Sequence, residues 1–143
     1  MENSKLSICV PTYNRAEILK ENILELISIV KNYKLPIYIS DNCSTDQTEL
    51  AVLDLKEKYE YIHYFKHKKN IHDANFPFIL RQSSSDYAWL LGDKNRIKAE
   101  WIPKILEIIE HNSFDAIVVN TAAQRVRDIP SQVYTDHNSL LVD

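Results

Sequence analysis

Asp93 and Asn95 stand two residues apart, just beyond Gly92, the chain's only glycine. A carboxylate and an amide oxygen at that spacing can face one hard divalent cation, the oxygen-donor chemistry that magnesium or manganese accepts. The stretch before them, Tyr87-Ala88-Trp89-Leu90-Leu91, is a continuous apolar run with aromatics. It reads as a strand from Tyr87 to Leu91 covered on both faces, with the glycine allowing a sharp turn at its carboxyl end. Polar groups just past such an end sit where open α/β sheets bind ligands. Asp and Asn are also common turn residues, so this stretch taken alone suits an ordinary strand exit as well.

Two further strand exits carry groups of the same kind. Lys5 to Val10 reads as a first strand, ended by Pro11, which has no amide to donate. Thr12-Tyr13-Asn14-Arg15 follows as a turn, with Asn14 placed to cap the next helix. Leu19, Ile23, Leu26, Ile27 and Val30 recur at helical spacing and predict an amphipathic helix over about Ala16 to Asn32. A second strand, Ile37 to Ser40, runs into Asp41-Asn42-Cys43-Ser44-Thr45-Asp46, and Asp46 caps a helix over Gln47 to Tyr59.

The remainder alternates in the same way. Tyr61 to Phe65 reads as a strand, followed by a basic patch over Lys66 to Lys69. Asn70 to Gln82 reads as a helix interrupted at Pro77. After the Tyr87 strand come a helix over Ala99 to Asn112 and a fifth strand, Asp115 to Val119; Ser131 to Tyr134 suits a short edge strand. Strands alternating with helices predict an α/β fold, a mostly parallel sheet flanked by helices. Right-handed crossovers then place Thr12, Asp41 and Asp93 on one edge of the sheet.

Composition narrows the function. The chain has 143 residues, 45% hydrophobic and 26% charged, which is ordinary for one globular domain. A net charge of −3 argues against a surface built for nucleic-acid phosphates. No apolar run reaches the length of a membrane span, and Met1-Glu2-Asn3-Ser4-Lys5 has no signal-peptide pattern. Cys9 and Cys43 suggest neither a disulfide framework nor a zinc site, so a cytoplasmic setting is expected. His63, His67 and His72 are too scattered for a ligand set, and Trp89 and Trp101 suit the core. A single glycine excludes both the dinucleotide-binding G-x-G-x-x-G and the Walker phosphate loop. Any bound nucleotide must be held by side chains and strand ends, with or without a metal.

Three segments in order, Val10-Pro11-Thr12-Tyr13-Asn14-Arg15, Asp41-Asn42-Cys43-Ser44-Thr45-Asp46 and Trp89-Leu90-Leu91-Gly92-Asp93, resemble family 2 glycosyltransferases of the GT-A fold. Asn70-Ile71-His72-Asp73-Ala74-Asn75 resembles the family's N-x-G-x-x-x-N segment, with Ile71 or His72 where glycine is usual. The resemblance runs from Lys5 to about Asn120 and implies a single GT-A-like nucleotide-sugar-binding domain over residues 1–143. It implies that Pro11, Thr12 and Tyr13 line the nucleobase, and that Arg15 lies near the nucleotide or the helix start. Asp41 is expected to accept a hydrogen bond from base or ribose, and Asn70 to lie among the donor-binding residues. Asp93 is expected to reach a Mn2+ or Mg2+ ion bridging the donor diphosphate, with Asn95 as a neutral oxygen ligand. The donor is expected to be a nucleotide-diphosphate sugar, a UDP-sugar foremost, and the acceptor a glycan or lipid-linked molecule. A place at the inner face of the membrane and a part in cell-surface polysaccharide synthesis go with that reading.

Two departures qualify it. Lys94 stands where consecutive acids are usual; its ammonium either weakens the metal site, neutralises diphosphate directly, or points to solvent. No segment after Asn120 resembles the family's acceptor-binding region or supplies its general base. The chain therefore reads as the donor-binding part of a longer inverting enzyme. The alternative is a catalytically silent nucleotide-sugar-binding or scaffold module; a receiver-like domain with an acidic pocket fits the Pro11–Arg15 turn poorly.

Overall fold

The computed structural model describes residues 4–117. They form a parallel four-stranded sheet in the order β3-β2-β1-β4. The strands are β1 (Leu6–Thr12), β2 (Ile37–Asp41), β3 (Ile62–Lys66) and β4 (Tyr87–Leu90). The helices are α1 (Ala16–Val30), α2 (Thr48–Lys58), α3 (Asn75–Gln82) and α4 (Trp101–His111), with a 3-10 turn at His72–Ala74 before α3.

Alternation along the two central strands separates the two faces of the sheet. Leu6, Ile8 and Val10 of β1 and Ile37 and Ile39 of β2 join the main core, which the stripes of α1, α2 and α4 complete through Leu19, Ile23, Val52, Leu55, Ile102 and Ile109. Cys9 and Tyr38 point the other way, onto Ile79 of α3 with Phe65 and Phe78 around them. The two central strands are thus covered on both sides, the layered architecture expected of alternating β and α segments.

Four local expectations are corrected. Pro11 lies inside β1, because pairing with β4 stops at Cys9–Leu90 while pairing with β2 continues to Thr12–Asp41. A residue without an amide is harmless on the side where the ladder has ended. Pro77 sits in the first turn of α3, where no amide is required, and the break falls before it at the 3-10 turn. β4 is half-covered rather than buried on both faces, with Leu90 39% exposed, since it is the outer strand of the described sheet. Gly92 has no positive φ; its lack of a side chain makes room, because a Cβ there lies 3.1 Å from Asn95 Nδ2. Of the expected fifth strand, residues 115–117 carry no strand pairing and the rest lies outside the described residues, as does Ser131–Tyr134.

Candidate functional site

Strand order reverses at β1: the chain moves outward to β2 and β3 on one side and returns to β4 on the other. The carboxyl ends of β1 and β4 therefore flank the topological switch point where doubly wound sheets open a crevice. Thr12 closes β1, Asp41 closes β2, and Asp93 follows β4 within three residues of its last residue, Leu90.

Asp93 is held from several directions. Thr12 Oγ1 donates to its Oδ2 at 3.0 Å, and Arg15 Nε lies 3.4 Å from the same oxygen. Asn22, from the middle of α1, donates through Nδ2 to the Asp93 carbonyl at 2.7 Å, so the backbone is pinned as well as the side chain. The Asp93 side chain is 12% exposed and that of Arg15 is 42% exposed. Among the described residues no hydrogen bond engages Asp93 Oδ1.

Lys94 is exposed beside it. Asn95 makes no hydrogen bond within the Thr12–Arg15–Asp93 group. Its amide N–H donates to the Gly92 carbonyl at 2.9 Å, and its side chain folds over Gly92 in a cleft lined by Asn22, Leu26 and Ile97. The expected Asp93–Asn95 ligand pair is therefore not assembled here: Asn95 closes the turn. No group of three or more His, Cys, Asp or Glu side chains suited to a metal occurs among the described residues. Asp93 still fits a divalent ion as a single carboxylate, because such ions can take one protein carboxylate and complete their shell with substrate phosphates and water.

Asp41 is completely buried. Ser44 N–H donates to its Oδ1 and the Tyr64 hydroxyl to its Oδ2, each at 2.7 Å. Burial, followed by the bond to Asp41, pushes the Tyr64 phenol well above its usual range, so it stays a donor. The Asp41 carbonyl also accepts from the Cys43 and His67 amides. In this conformation the carboxylate shapes the loop after β2, which passes through Cys43 at φ 67°.

That loop is bonded to the turn after β1. Asn14, at φ 50°, accepts from the Thr45 amide through Oδ1 at 2.8 Å, and its own amide donates to Ser44 Oγ at 2.8 Å. Asn14 thus ties two loops together and does not cap α1. Capping comes from across the sheet edge: Asp46 Oδ2 accepts from the Ala16 amide at 3.1 Å, while Oδ1 accepts from the Thr48 amide at 3.0 Å. One carboxylate serves the first turns of two helices, the place where negative charge is favoured. Burial pushes its carboxyl upward, but the bonds from Thr48 and Ala16 outweigh this and leave it below the ordinary aspartate value.

On the β2–β3 side, Asn70 Oδ1 accepts from the His72 amide, and His72 takes a left-handed φ of 51°. The residue standing where the family usually has glycine therefore adopts the backbone that glycine favours. Ser40, His67 and Asn75 form a polar knot under this loop. Asn75 Oδ1 lies 2.5 Å from Ser40 Oγ and 3.1 Å from His67 Nε2. His63 stacks on Tyr38 with ring centroids 4.6 Å apart, and burial lowers its pKa. Lys66 pairs with Glu49 at 2.6 Å. Pro11 is buried, whereas Tyr13 is 43% exposed at the mouth of the crevice. Tyr64 and Asn22 carry no signal along the chain; only the fold brings them to the site.

The glycosyl transferase family 2 model matches residues 7–135. The chain belongs to this family. Among curated proteins it is similar to abequosyltransferase RfbV of Salmonella typhimurium, 35% identical over 95 residues, covering 64% of this chain and 28% of that protein. It is also similar to the GalNAc(5)-diNAcBac-PP-undecaprenol beta-1,3-glucosyltransferase of Campylobacter jejuni, 32% identical over 95 residues, covering 65% of this chain and 30% of that protein. The matched stretch thus spans less than a third of either relative. Among solved structures, S. aureus TarS superposes with a TM-score of 0.65 at 21% identity, over 75% of this chain and 32% of that one. Mannosyltransferase PcManGT from Pyrobaculum calidifontis, in complex with GDP-Man and Mn2+, superposes with a TM-score of 0.56 at 18% identity, over 66% and 29%. The fold is that of the GT-A glycosyltransferases.

Proposed function

We propose that this chain is the donor-binding part of a glycosyltransferase that moves a sugar from a nucleotide-diphosphate sugar to a glycan or lipid-linked acceptor with inversion. The observation that carries the reading is the Thr12–Asp93 hydrogen bond across the β1–β4 switch point, with Arg15 beside it. A cation and a carboxylate meet there at the sheet edge that binds ligands in such folds. The nucleobase packs beside Pro11, Thr12 and Tyr13, and the diphosphate lies towards Arg15, Asp93 and Lys94. Asp41 and Asn70 shape the loops on the base side; contact of Asp41 with the base requires those loops to part, since Asp41 has no exposed surface.

Asp93 is the residue that would hold a divalent ion, which would supply positive charge to the leaving diphosphate. Thr12 orients the carboxylate, and Lys94 offers a further point charge to phosphate. Deprotonation of the acceptor hydroxyl needs a general base, and none of this chain's residues is assigned to it. The names of the two curated relatives support a role in cell-surface glycan synthesis, and the undecaprenol in one supports a lipid-linked acceptor reached at the inner membrane face. No helix among the described residues is long and apolar enough to cross a membrane.

Thermal-shift titration with UDP, GDP, CDP and dTDP, each with and without Mn2+, tests this reading. A ligand that binds only the native state raises the melting temperature. The expected result is a rise with one nucleotide, UDP foremost, larger with Mn2+ and reduced to the metal-free value in Asp93→Asn. No response to any nucleotide overturns the reading. Lys94 beside the single carboxylate favours a second reading, a binding module without turnover, and assay of the full-length protein for sugar transfer separates the two.

A further inference from the structure

We infer that Arg15 acts as an internal counter-ion that occupies Asp93 before the donor arrives and is handed to the donor's diphosphate when a divalent ion takes its place. The inference rests on the donor-site reading above and adds a specific role for one side chain. Three features of the geometry carry it.

First, the fixed partner is Asp93: its carbonyl is held by Asn22 and its Oδ2 by Thr12. Second, the movable partner is Arg15. It meets Asp93 with its Nε 3.4 Å from Oδ2, longer than a tight charge-assisted bond, and its side chain is far more exposed than that of Asp93. Third, the contact leaves Oδ1 without a hydrogen bond among the described residues, so an incoming cation has an oxygen to bind before Arg15 departs. A long ion pair with a half-exposed cation is weak enough to exchange. Without it, Asp93 would be a largely buried and uncompensated charge in the empty crevice. Once released, a guanidinium is well suited to grip a diphosphate through two of its N–H groups.

The test is a Mn2+ titration in the absence of nucleotide, with free aquo-Mn2+ read by electron paramagnetic resonance. It compares the wild type with Arg15→Gln, Lys94→Gln and Asp93→Asn. Removing the competing cation is expected to tighten Mn2+ binding in Arg15→Gln by up to about fivefold, the weight of an exposed ion pair. Asp93→Asn is expected to lose the site. Binding in Arg15→Gln equal to or weaker than wild type overturns the inference, as does equal tightening in Lys94→Gln, which marks a general charge effect. Should Arg15→Gln fail to fold, the wild type still decides. Titration with diamagnetic Mg2+ is expected to shift the Arg15 Nε–H resonance, and an unmoved resonance at saturating Mg2+ overturns the exchange. Because no nucleotide is present, either failure leaves the donor-site reading standing.

Discussion

The carboxylates of Asp41 and Asp93 stand at the exits of β2 and β4, on either side of β1, and live in different surroundings. Asp93 borders the crevice, whereas Asp41 is sealed and has the Tyr64 hydroxyl on one oxygen. Tyr64→Phe removes that donor and leaves a buried oxygen without its partner. The expected loss of stability is about 1–3 kcal/mol, measured by urea unfolding. The neighbouring Cys43 holds a left-handed backbone at φ 67°, which a side chain makes costly. Cys43→Gly should stabilise the fold by about 1 kcal/mol, read as a rise in the urea midpoint at unchanged slope. The polar residues at the strand exits were visible in the sequence because strand ends and turn residues announce themselves locally. Their partners were not. Tyr64 is 23 positions from Asp41 and Asn22 is 71 from Asp93, and no periodicity links residues so far apart.

Helix starts show the same limit at the scale of elements. The apolar stripe located α1 within two residues, because a buried stripe is a property of the segment itself, and the Asp46 cap located α2 within one. Capping proved to be shared between segments: Asp46 serves both Ala16 and Thr48, and Asn14, in the ordinary cap position, bonds the opposite loop. Asp46→Ala should therefore cost more than an ordinary cap, about 2 kcal/mol at neutral pH. The effect should depend on pH. The folded-state pKa of Asp46 lies below its unfolded value, so its contribution is fully present above about pH 5 and disappears as pH falls through the folded value. Unfolding curves of wild type and Asp46→Asn, compared from pH 6 to pH 2.5, are expected to converge at the acid end. A constant gap would show that the ionised carboxylate is not what caps the two helices.

Across the whole molecule, the sheet divides its two cysteines into different environments. Cys9 lies inside the second core beside Ile79, and burial pushes its thiol up to about 11, leaving roughly one molecule in a thousand as thiolate at pH 8. Cys43 is half-exposed in the loop after β2. Labelling with a disulfide reagent at pH 8 should proceed in two phases, Cys43 first and Cys9 only at the rate of global opening. Fast labelling of both would mean that α3 separates from the sheet without unfolding of the rest. The α/β layout behind this division was legible from the alternation of segments, while the outer position of β4 was not, since strand order is a long-range property.

The span of the Thr12–Asp93 bond has a consequence in time. Its partners are 81 positions apart, whereas the bonds joining the turn after β1 to the loop after β2 close intervals of about 30. Shorter intervals close at lower entropic cost and earlier. A growing chain that has just passed Lys66 already contains every residue of β1, β2 and β3 and of the loops bonded between the first two. It has yet to receive its crevice carboxylate. Maturation of the site is then the docking of β4, the last of the described strands to be made. A donor bound across Thr12 and Asp93 would fasten that strand, slowing amide exchange along Tyr87–Leu90 more than anywhere else in the sheet.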